Sequence, residues 1–395
     1  MITNEVMGIL FTNVHDEYLG ELTAKRAVAS IPFGARYRLI DFALSNLVNA
    51  GISKVGVITK SNYQSLMDHI GSGKYWDLDR KKGGLFILPP YNTTESGFSE
   101  SKIDALGGIM TFLRRSSEKY VVMCDANIVG NIDIDAVIEY HKEKKADVTF
   151  VYKSGAGSDN DRDKISFKVL KSGAIKDIRV DDSDSKTSNY SLHILVLERE
   201  KLIELIKEAQ SKNLKHLTKD VFMAKEGELK YFGFKANTYA TVINSREAYV
   251  KANFDLLDPK VRAELFCPER PIYTKNRDNM PAKYGIEAKV TNSLVGDGAV
   301  IHGTVKNSIV FRDVTIEEGA NIENCILMQG CTVKANASLK HVAADKNSVV
   351  SKGSEIGGNT DSSDSSERQS HGRRFPDLSV YPRSASGLSG IHPHV

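Results

Sequence analysis

One acidic residue, Asp125, stands where an α/β protein would carry a catalytic or binding group. It directly follows the run Tyr120-Val-Val-Met-Cys124, whose continuous apolar character predicts a buried strand. Ligands of open α/β sheets bind beyond the carboxyl ends of the strands, so Asp125 is a candidate for chemistry. A carboxylate at that position can equally cap a turn or a helix, and the residue alone does not decide between these roles.

The elements that must position Asp125 alternate between strand-like and helix-like segments. The predicted strands are Val55–Thr59, Tyr120–Cys124 and Asp147–Tyr152, and the predicted helices are Ile103–Leu113 and Ile134–Lys144. Continuous apolar strands separated by helices favour a mostly parallel sheet covered on both faces. We therefore expect an α/β domain over residues 1–255.

Aliphatic residues recur every six positions in the last third of the chain. This spacing relates Val295 to Ile301, Val310 to Ile316 and Ile322, Leu327 to Val333 and Leu339, and Val350 to Ile356. The period is typical of a hexapeptide β-helix, in which each coil buries one aliphatic side chain per face. It predicts a parallel β-helix over residues 286–357, with a sandwich of short strands as the alternative.

Composition marks two further boundaries. Several prolines, among them Pro259, Pro268 and Pro271, predict a linker over residues 256–285. The stretch that follows Gly357 is polar and of low complexity, so residues 358–395 are predicted to form a disordered tail.

Charge and cysteine content exclude several classes of function. Lys and Arg number 53 and Asp and Glu number 50, a formal net charge of +3 that does not favour nucleic acid or a membrane surface as a partner. The start of the chain does not have the pattern of a secretory signal. The four cysteines contain no Cys-x-x-Cys pair, which argues against a zinc site or a disulfide framework. The expected compartment is a reducing cytoplasm.

One block of sequence is far more specific than periodicity. It runs Lys25-Arg-Ala-Val-Ala-Ser-Ile-Pro-Phe-Gly-Ala-Arg-Tyr-Arg-Leu-Ile-Asp-Phe-Ala-Leu-Ser-Asn46 and continues with Asn49-Ala-Gly-Ile-Ser53. This block resembles the start of bacterial glucose-1-phosphate adenylyltransferases, also called ADP-glucose pyrophosphorylases. The resemblance extends over about residues 5–357. It implies a Rossmann-like, GT-A-like nucleotidyltransferase domain with a mixed sheet, followed by a left-handed parallel β-helix. It also implies the reaction of ATP with glucose 1-phosphate to ADP-glucose and pyrophosphate, which feeds glycogen synthesis.

The chain departs from that family's pattern at the positions that the resemblance assigns to chemistry. The glycine-rich phosphate loop falls on Asn13-Val-His-Asp-Glu-Tyr-Leu19, which contains no glycine, and a family lysine falls on Val28. The sugar-phosphate lysine falls near Asp181, and a glycine-containing segment falls on Ser101-Lys-Ile-Asp-Ala105. The second metal carboxylate falls on Val242, so the resemblance leaves Asp125 as the one surviving carboxylate of the metal type.

These losses converge on one site while the fold-defining residues persist, a combination that resembles the D-type, non-catalytic subunit of the family. The resemblance implies a hetero-oligomer, expected to be a tetramer, with a catalytic paralogue. In that reading the chain holds no cofactor tightly, and Mg²⁺ serves the complex through the catalytic partner. Two alternatives stay open. One is an active sugar-phosphate nucleotidyltransferase, and the other is a hexapeptide-repeat acyltransferase with His302 or His341 as its catalytic histidine.

A pair of arginines, Arg36 and Arg38, is the candidate for an allosteric anion site. The family's activator lysine falls on Arg36, and arginine suits bidentate contacts with phosphate. The resemblance therefore implies a sugar-phosphate effector. Simple pairing of both arginines with surface carboxylates is the alternative.

Overall fold

A computed structural model describes residues 5–14, 16–89, 101–155, 164–181, 189–357 and 379–381. The chain divides into two compact units. The first unit contains the described residues within 1–31, 38–248 and 263–275, and the second contains those within 32–37, 249–262 and 276–395.

Short strands and helices alternate through the first two thirds of the chain. The strands are β1 (Val6–Phe11), β2 (Pro32–Phe33), β3 (Tyr37–Arg38), β4 (Lys54–Ile58), β5 (Gly84–Leu88), β6 (Tyr120–Asp125), β7 (Ile128–Gly130), β8 (Val148–Ser154), β9 (Ile165–Val169), β10 (Ile175–Val180), β11 (Asn189–Glu198), β12 (Tyr231–Lys235) and β13 (Ala240–Val242). The α-helices are α1 (Leu39–Asn49), α2 (Gln64–Ile70), α3 (Lys102–Gly108), α4 (Met110–Arg115), α5 (Ile134–Lys144), α6 (Arg199–Ser211), α7 (Arg246–Asp255) and α8 (Pro259–Leu265). Further single turns are the 3₁₀ helices Asp16–Tyr18, Gly20–Leu22, Val28–Ser30 and Lys74–Trp76 and the π-helix Leu217–Phe222.

A nine-stranded mixed sheet forms the centre of the first unit. Its main order is β10-β9-β11-β6-β1-β4-β5, with β8 beside β11 and β12 beside β8. Strands β6, β1, β4 and β5 run parallel, whereas β11 is antiparallel to β6. Strand β1 sends Val6 and Leu10 into one apolar cluster and Met7 and Ile9 into another, because successive side chains point to opposite faces. The sheet is thus buried on both faces, as its apolar strands predict.

The predicted elements of this unit are confirmed with one exception. Strands β4, β6 and β8 and helix α5 lie where the sequence places them. The single helix expected over Ile103–Leu113 is wrong, because the chain forms α3 and α4 on either side of Ile109. The two residues before this break are Gly107 and Gly108, and glycine is a poor helix former.

The β-helix predicted from the six-residue period is confirmed, and it is a left-handed parallel β-helix. Its strands are β14 (Lys283–Tyr284), β15 (Lys289–Thr291), β16 (Leu294–Val295), β17 (Val300–Ile301), β18 (Thr304–Lys306), β19 (Ile309–Val310), β20 (Thr315–Ile316), β21 (Asn321–Glu323), β22 (Ile326–Leu327), β23 (Thr332–Val333), β24 (Ser338–Lys340), β25 (Val342–Ala344), β26 (Val349–Val350), β27 (Glu355–Gly357) and β28 (Ser379–Tyr381). They stack in three parallel sheets, β14-β17-β20-β23-β26, β15-β18-β21-β24-β27 and β16-β19-β22-β25-β28.

The period becomes a set of buried columns in this stack. Ile301, Ile316, Val333 and Val350 lie one above another, each at most 1% exposed. The predicted linker boundary at residues 256–285 is untested and stays a prediction. The predicted tail over residues 358–395 lies outside the described residues except for β28, which pairs with β25.

The corners of the coils account for one of the two candidate histidines of an acyltransferase. Asn292, Asn307, Asn324 and His341 occupy equivalent corners, and all have positive φ values between 43° and 53°. Asparagine tolerates this left-handed conformation better than most residues, and histidine shares that tendency. His341 thus serves a turn, and His302 lies half-buried after β17.

No helix in the described part of the chain is long and apolar enough to cross a membrane.

Candidate active-site cavity

Three parallel strands end together at one edge of the sheet in the first unit. Phe11, the last residue of β1, lies beside Ile58 of β4 and Asp125 of β6. A cavity of about 680 Å³ opens beyond these ends. Its polar lining includes Thr12, Asn13, Glu17, Thr59, Lys60, Ser101, Lys102, Asp104, Asp181, His193, Lys215, His216, Thr218 and Lys219. The topology therefore places the cavity where an α/β sheet binds its ligands.

Asp125 is buried at the end of β6, at this edge of the sheet, and is paired with a lysine. Its side chain is 1% exposed, and its Oδ2 lies 2.7 Å from Nζ of Lys102. The same ammonium lies 5.2 Å from the centre of the Phe11 ring, which adds a cation–π contact. A buried carboxylate needs such a partner because desolvation strongly disfavours an isolated charge. The charge of Asp125 is thus neutralised from within the chain.

His193 is the second basic group beside Asp125. Its Nδ1 lies 3.6 Å from Asp125 Oδ2, and its backbone has a φ of 54° at an irregular position of β11. A non-glycine residue in this left-handed region is uncommon, and such strain clusters at functional sites. The irregularity turns the imidazole into the lining of the cavity.

The loop after β1 is closed by the carboxylate of Asp16. Oδ1 of Asp16 accepts a hydrogen bond of 2.9 Å from the backbone amide of Val28, and Oδ2 accepts one of 2.7 Å from the side-chain amide of Asn13. Burial is the largest influence on Asp16 and raises the pKa of its carboxyl group above the ordinary range. A phosphate cradle requires backbone N–H groups that point at the ligand. Here the carboxylate of Asp16, which lies within the loop, binds the Val28 amide at the start of the 3₁₀ helix Val28–Ser30.

The turn at Lys219 and Asp220 is also organised by internal hydrogen bonds. Oδ2 of Asp220 accepts bonds of 2.9 and 2.8 Å from the backbone amides of Lys215 and His216. These bonds stabilise the charged form and lower the pKa of Asp220. Asp220 thus shapes the backbone that presents Lys215 and Lys219 to the cavity.

Val242 lies in the apolar core. It is 8% exposed and is part of the cluster that contains Ala126 and Ile128, and it lies beside Ile128 in the pairing of β13 with β7. An aliphatic side chain offers no ligand to a cation. The position that the sequence marks as a lost carboxylate therefore contributes packing.

The two arginines of the predicted anion site fall in different compact units, and the site itself stays a prediction. Arg38 lies in the first unit, where its Nη1 donates to Oγ of Ser65 at 3.0 Å and to the Ser65 carbonyl. Arg36 belongs to the second unit and is exposed. In that unit, burial is the largest influence and lowers the pKa of the buried Arg312. The charges of Arg36 and Arg277 lower this pKa further, whereas the carboxylates of Asp297, at 3.7 Å from Arg312 Nε, and of Asp313 raise it. Arg36 thus acts on Arg312 within a mixed group of arginines and carboxylates.

Comparison with known proteins identifies the family. A nucleotidyl transferase model matches residues 17–161, and a GlmU-like, C-terminal hexapeptide model matches residues 280–372. Glycogen biosynthesis protein GlgD of Bacillus subtilis is 34% identical over 358 residues, which covers 91% of this chain and 94% of that protein. The chain belongs to the glucose-1-phosphate adenylyltransferase family. The GlgD protein of Geobacillus stearothermophilus is 35% identical over 322 residues, with 81% and 83% coverage. A glucose-1-phosphate adenylyltransferase of Acetivibrio thermocellus is 32% identical over 345 residues, with 86% and 80% coverage. Within the family, the chain is of the GlgD, or D, type.

The residues of this family member do not fit the Mg²⁺ that the resemblance implies. Asp125 is engaged by the Lys102 ammonium, and Val242 is apolar. Among the described residues, no group of three or more His, Cys, Asp and Glu side chains could hold a metal ion. A metal role for Asp125 therefore stays a prediction, and the cation beside its carboxylate in the structure belongs to Lys102.

Three residues of the cavity and of the arginine group around Arg36 have roles that the sequence does not predict. Lys102 is the first residue of α3. The helix dipole disfavours a cation at that position, so a lysine there is a sequence signal that the side chain has a partner elsewhere. Asp16 lies in the segment Asn13–Leu19, and no local pattern shows that it accepts a hydrogen bond from the Val28 amide. Arg312 has no sequence signal, because its relation to Arg36 depends on how the segment Pro32–Tyr37 packs within the second unit.

Proposed function

We propose that this chain serves glycogen biosynthesis as a non-catalytic, regulatory or structural subunit of a glucose-1-phosphate adenylyltransferase. Its similarity to two GlgD glycogen biosynthesis proteins and to a glucose-1-phosphate adenylyltransferase supports the pathway and the reaction. The observation that carries the non-catalytic role is the ion pair between Lys102 and the buried Asp125.

The chemistry of nucleotidyl transfer explains why this pair matters. Charge on the transferring phosphoryl group must be neutralised by cations, and Mg²⁺ is usually held by one or two protein carboxylates together with phosphate oxygens. Here the candidate carboxylate is neutralised by Lys102, and the loop after β1 carries the acidic Asp16, whose carboxylate binds the Val28 amide. Losing a single electrostatic group of this kind commonly costs about 3 kcal/mol of transition-state stabilisation. Several losses in one site leave little activity, although their costs do not add simply.

The β-helix supports the expectation of an oligomeric partner. Within the described residues, its first strand β14 pairs only with β17. Close to that open edge, Met280, Tyr284 and Ile286 are large apolar residues with exposed side chains. Open strand edges and contiguous exposed apolar side chains favour association with another chain. We propose that the partner is a catalytic paralogue, in a hetero-oligomer expected to be a tetramer, and that Mg²⁺ acts in the catalytic partner.

Co-expression with the paralogue tests this function. The isolated chain should synthesise no measurable ADP-glucose, and the mixed sample should elute as one larger species whose activity depends on the catalytic partner. Light scattering and a coupled assay give the two readouts. Turnover by the isolated chain at an ordinary enzymatic rate would support the alternative of an active nucleotidyltransferase. A stable monomer in the presence of the paralogue would remove the subunit role.

We also propose that Arg36 contributes to a site for an anionic effector, a sugar phosphate. Support comes from the charges of Arg36 and Arg277, which act on the buried Arg312 within one unit and are only partly compensated by the carboxylates of Asp297 and Asp313. Clustered guanidiniums suit multivalent phosphate contacts. In the mixed complex, Arg36→Ala should weaken activation by a sugar phosphate without changing assembly, and Lys306→Ala is a matched control on an exposed part of the same unit. An unchanged activation curve would assign Arg36 to structure.

A further inference from the structure

The Lys102–Asp125 pair lies at the boundary between the buried sheet and the cavity. Asp125 is 1% exposed, whereas the Lys102 side chain is 33% exposed and lines the cavity. The ammonium therefore covers the carboxylate on the side from which a dissolved ion would approach. Its location at the start of α3 opposes the helix dipole, so the carboxylate and the Phe11 ring hold it there.

An ammonium and a divalent ion compete for the same carboxylate. Mg²⁺ binds carboxylate oxygens at about 2.0–2.1 Å and demands nearly ideal octahedral geometry. The 2.7 Å contact of Lys102 occupies Oδ2, and a second cation within a few ångströms would be repelled. Nδ1 of His193 lies 3.6 Å from the same oxygen atom, Oδ2 of Asp125. The ammonium and the imidazole thus occupy the space beside Oδ2 that a metal ion would need.

We propose that Lys102 is a built-in replacement for a divalent ion. Its ammonium neutralises Asp125 in the folded chain and excludes Mg²⁺ and Mn²⁺ from the carboxylate. The proposal goes beyond the subunit function, because it concerns cation binding by this chain alone. It implies that the removal of one charge, at Lys102, converts the buried Asp125 beneath the cavity lining into a weak divalent-metal site.

The test uses the full chain, Mn²⁺ alone as the probe, and no enzymatic activity. Mn²⁺ binding is followed by electron paramagnetic resonance of the free ion and by the Mn²⁺-dependent shift in Tm. The variants are Lys102→Ala, Lys102→Gln, Asp125→Asn and the double variant Lys102→Ala/Asp125→Asn. Glutamine keeps a hydrogen-bond donor for Asp125 and guards against failure of the alanine variant to fold. The double variant lacks both charges and is the matched control.

The wild-type chain should bind no Mn²⁺ at Asp125. At least one neutral single variant should bind it about tenfold more tightly or better, because a like charge next to a divalent ion has been removed. Its Tm should rise with Mn²⁺, and the double variant should lose both effects. The proposal is overturned if wild type binds Mn²⁺ in a manner that Asp125→Asn abolishes. It is equally overturned if neither Lys102→Ala nor Lys102→Gln binds more tightly than wild type. ADP-glucose synthesis by the isolated chain would instead count against the proposed subunit role, so the two failures are distinguishable.

Discussion

The β-helix and the cavity at the sheet edge are organised by opposite kinds of information. In the β-helix, each coil repeats the environment of the one before, so Ile301, Ile316 and Val333 share one buried column. In the cavity, each polar contact is unique. The carboxylate of Asp125 meets Lys102 across 23 positions of sequence, and Asp16 meets the Val28 amide across 12.

This difference separates robust architecture from adaptable chemistry. A repeated column is stabilised by many equivalent apolar contacts, and its loss is felt as stability. The polar contacts of the cavity can exchange one partner for another, such as a lysine for a metal ion, without any change in the sheet that carries them. The fold of a nucleotidyltransferase therefore persists in a chain whose buried Asp125 is neutralised by its own Lys102.

The largest expected effect is on the β-helix column. Ile316 is fully buried between Ile301 and Val333, so Ile316→Ala should destabilise the β-helix by about 3 kcal/mol through lost burial and a cavity. Chemical denaturation followed by circular dichroism measures the effect. Val349 is 44% exposed beside the buried Val350, and Val349→Ala is the control with an expected change below about 0.5 kcal/mol. Equal effects of the two substitutions would contradict a column that stabilises by burial.

The second effect, an acid-dependent loss of stability, should belong to the first unit. Burial lowers the pKa of His141 to about 4, from an ordinary value near 6.5. Below pH 6.5, His141 is protonated in the unfolded chain but stays neutral in the folded chain. The contribution of His141 to stability is therefore complete above pH 6.5 and is lost as the pH falls toward 4. The expected loss between pH 7 and pH 5 is about 2 kcal/mol.

Fluorescence can follow this loss, because Trp76 is the single tryptophan and lies buried in the first unit. Urea unfolding at pH 7 and pH 5 gives the two free energies of unfolding. His141→Gln removes the titrating group and should flatten the difference, whereas the same substitution at the exposed His216 serves as the control. Burial also lowers the pKa of His69, so a remainder of the slope should persist in His141→Gln. An identical slope in both variants would remove His141 from the explanation.

A third effect tests the closed loop after β1. Asp16→Ala removes the acceptor of the Val28 amide and should cost about 1 kcal/mol, because a buried donor loses its partner. Asp16→Asn keeps an acceptor oxygen and removes the charge that burial disfavours, so its cost should be smaller. Thermal unfolding of both variants measures the difference. A larger loss in Asp16→Asn than in Asp16→Ala would show that the negative charge itself stabilises the loop.

The same contrast between repeated and unique contacts explains what could be predicted from the sequence. The period of Val310, Ile316 and Ile322 specifies the β-helix because inward positions recur locally. The apolar run before Asp125 predicts β6 for a similar reason. The partner of Asp125 depends on where α3 begins relative to the end of β6, which no local pattern records. The hydrogen bond from the Val28 amide to the Asp16 carboxylate joins residues 12 positions apart, and no local pattern records it either.

The smallest expected effect distinguishes Arg36 from Arg38, which the sequence places side by side. Arg36 is exposed, and its charge disfavours the charged form of Arg312 in the second unit. Arg36→Ala should therefore leave the free energy of unfolding unchanged or raise it by about 0.5 kcal/mol or less, the scale of surface charge interactions. Arg38→Ala should lower it by about 1 kcal/mol, because Ser65 loses its donor. Denaturant titrations at low and high salt separate the two cases, since salt screens the Arg36 effect and leaves most of the loss at Arg38. A destabilised Arg36→Ala variant would mean that Arg36 holds the second unit together, and an effector site built on this residue would lose its support.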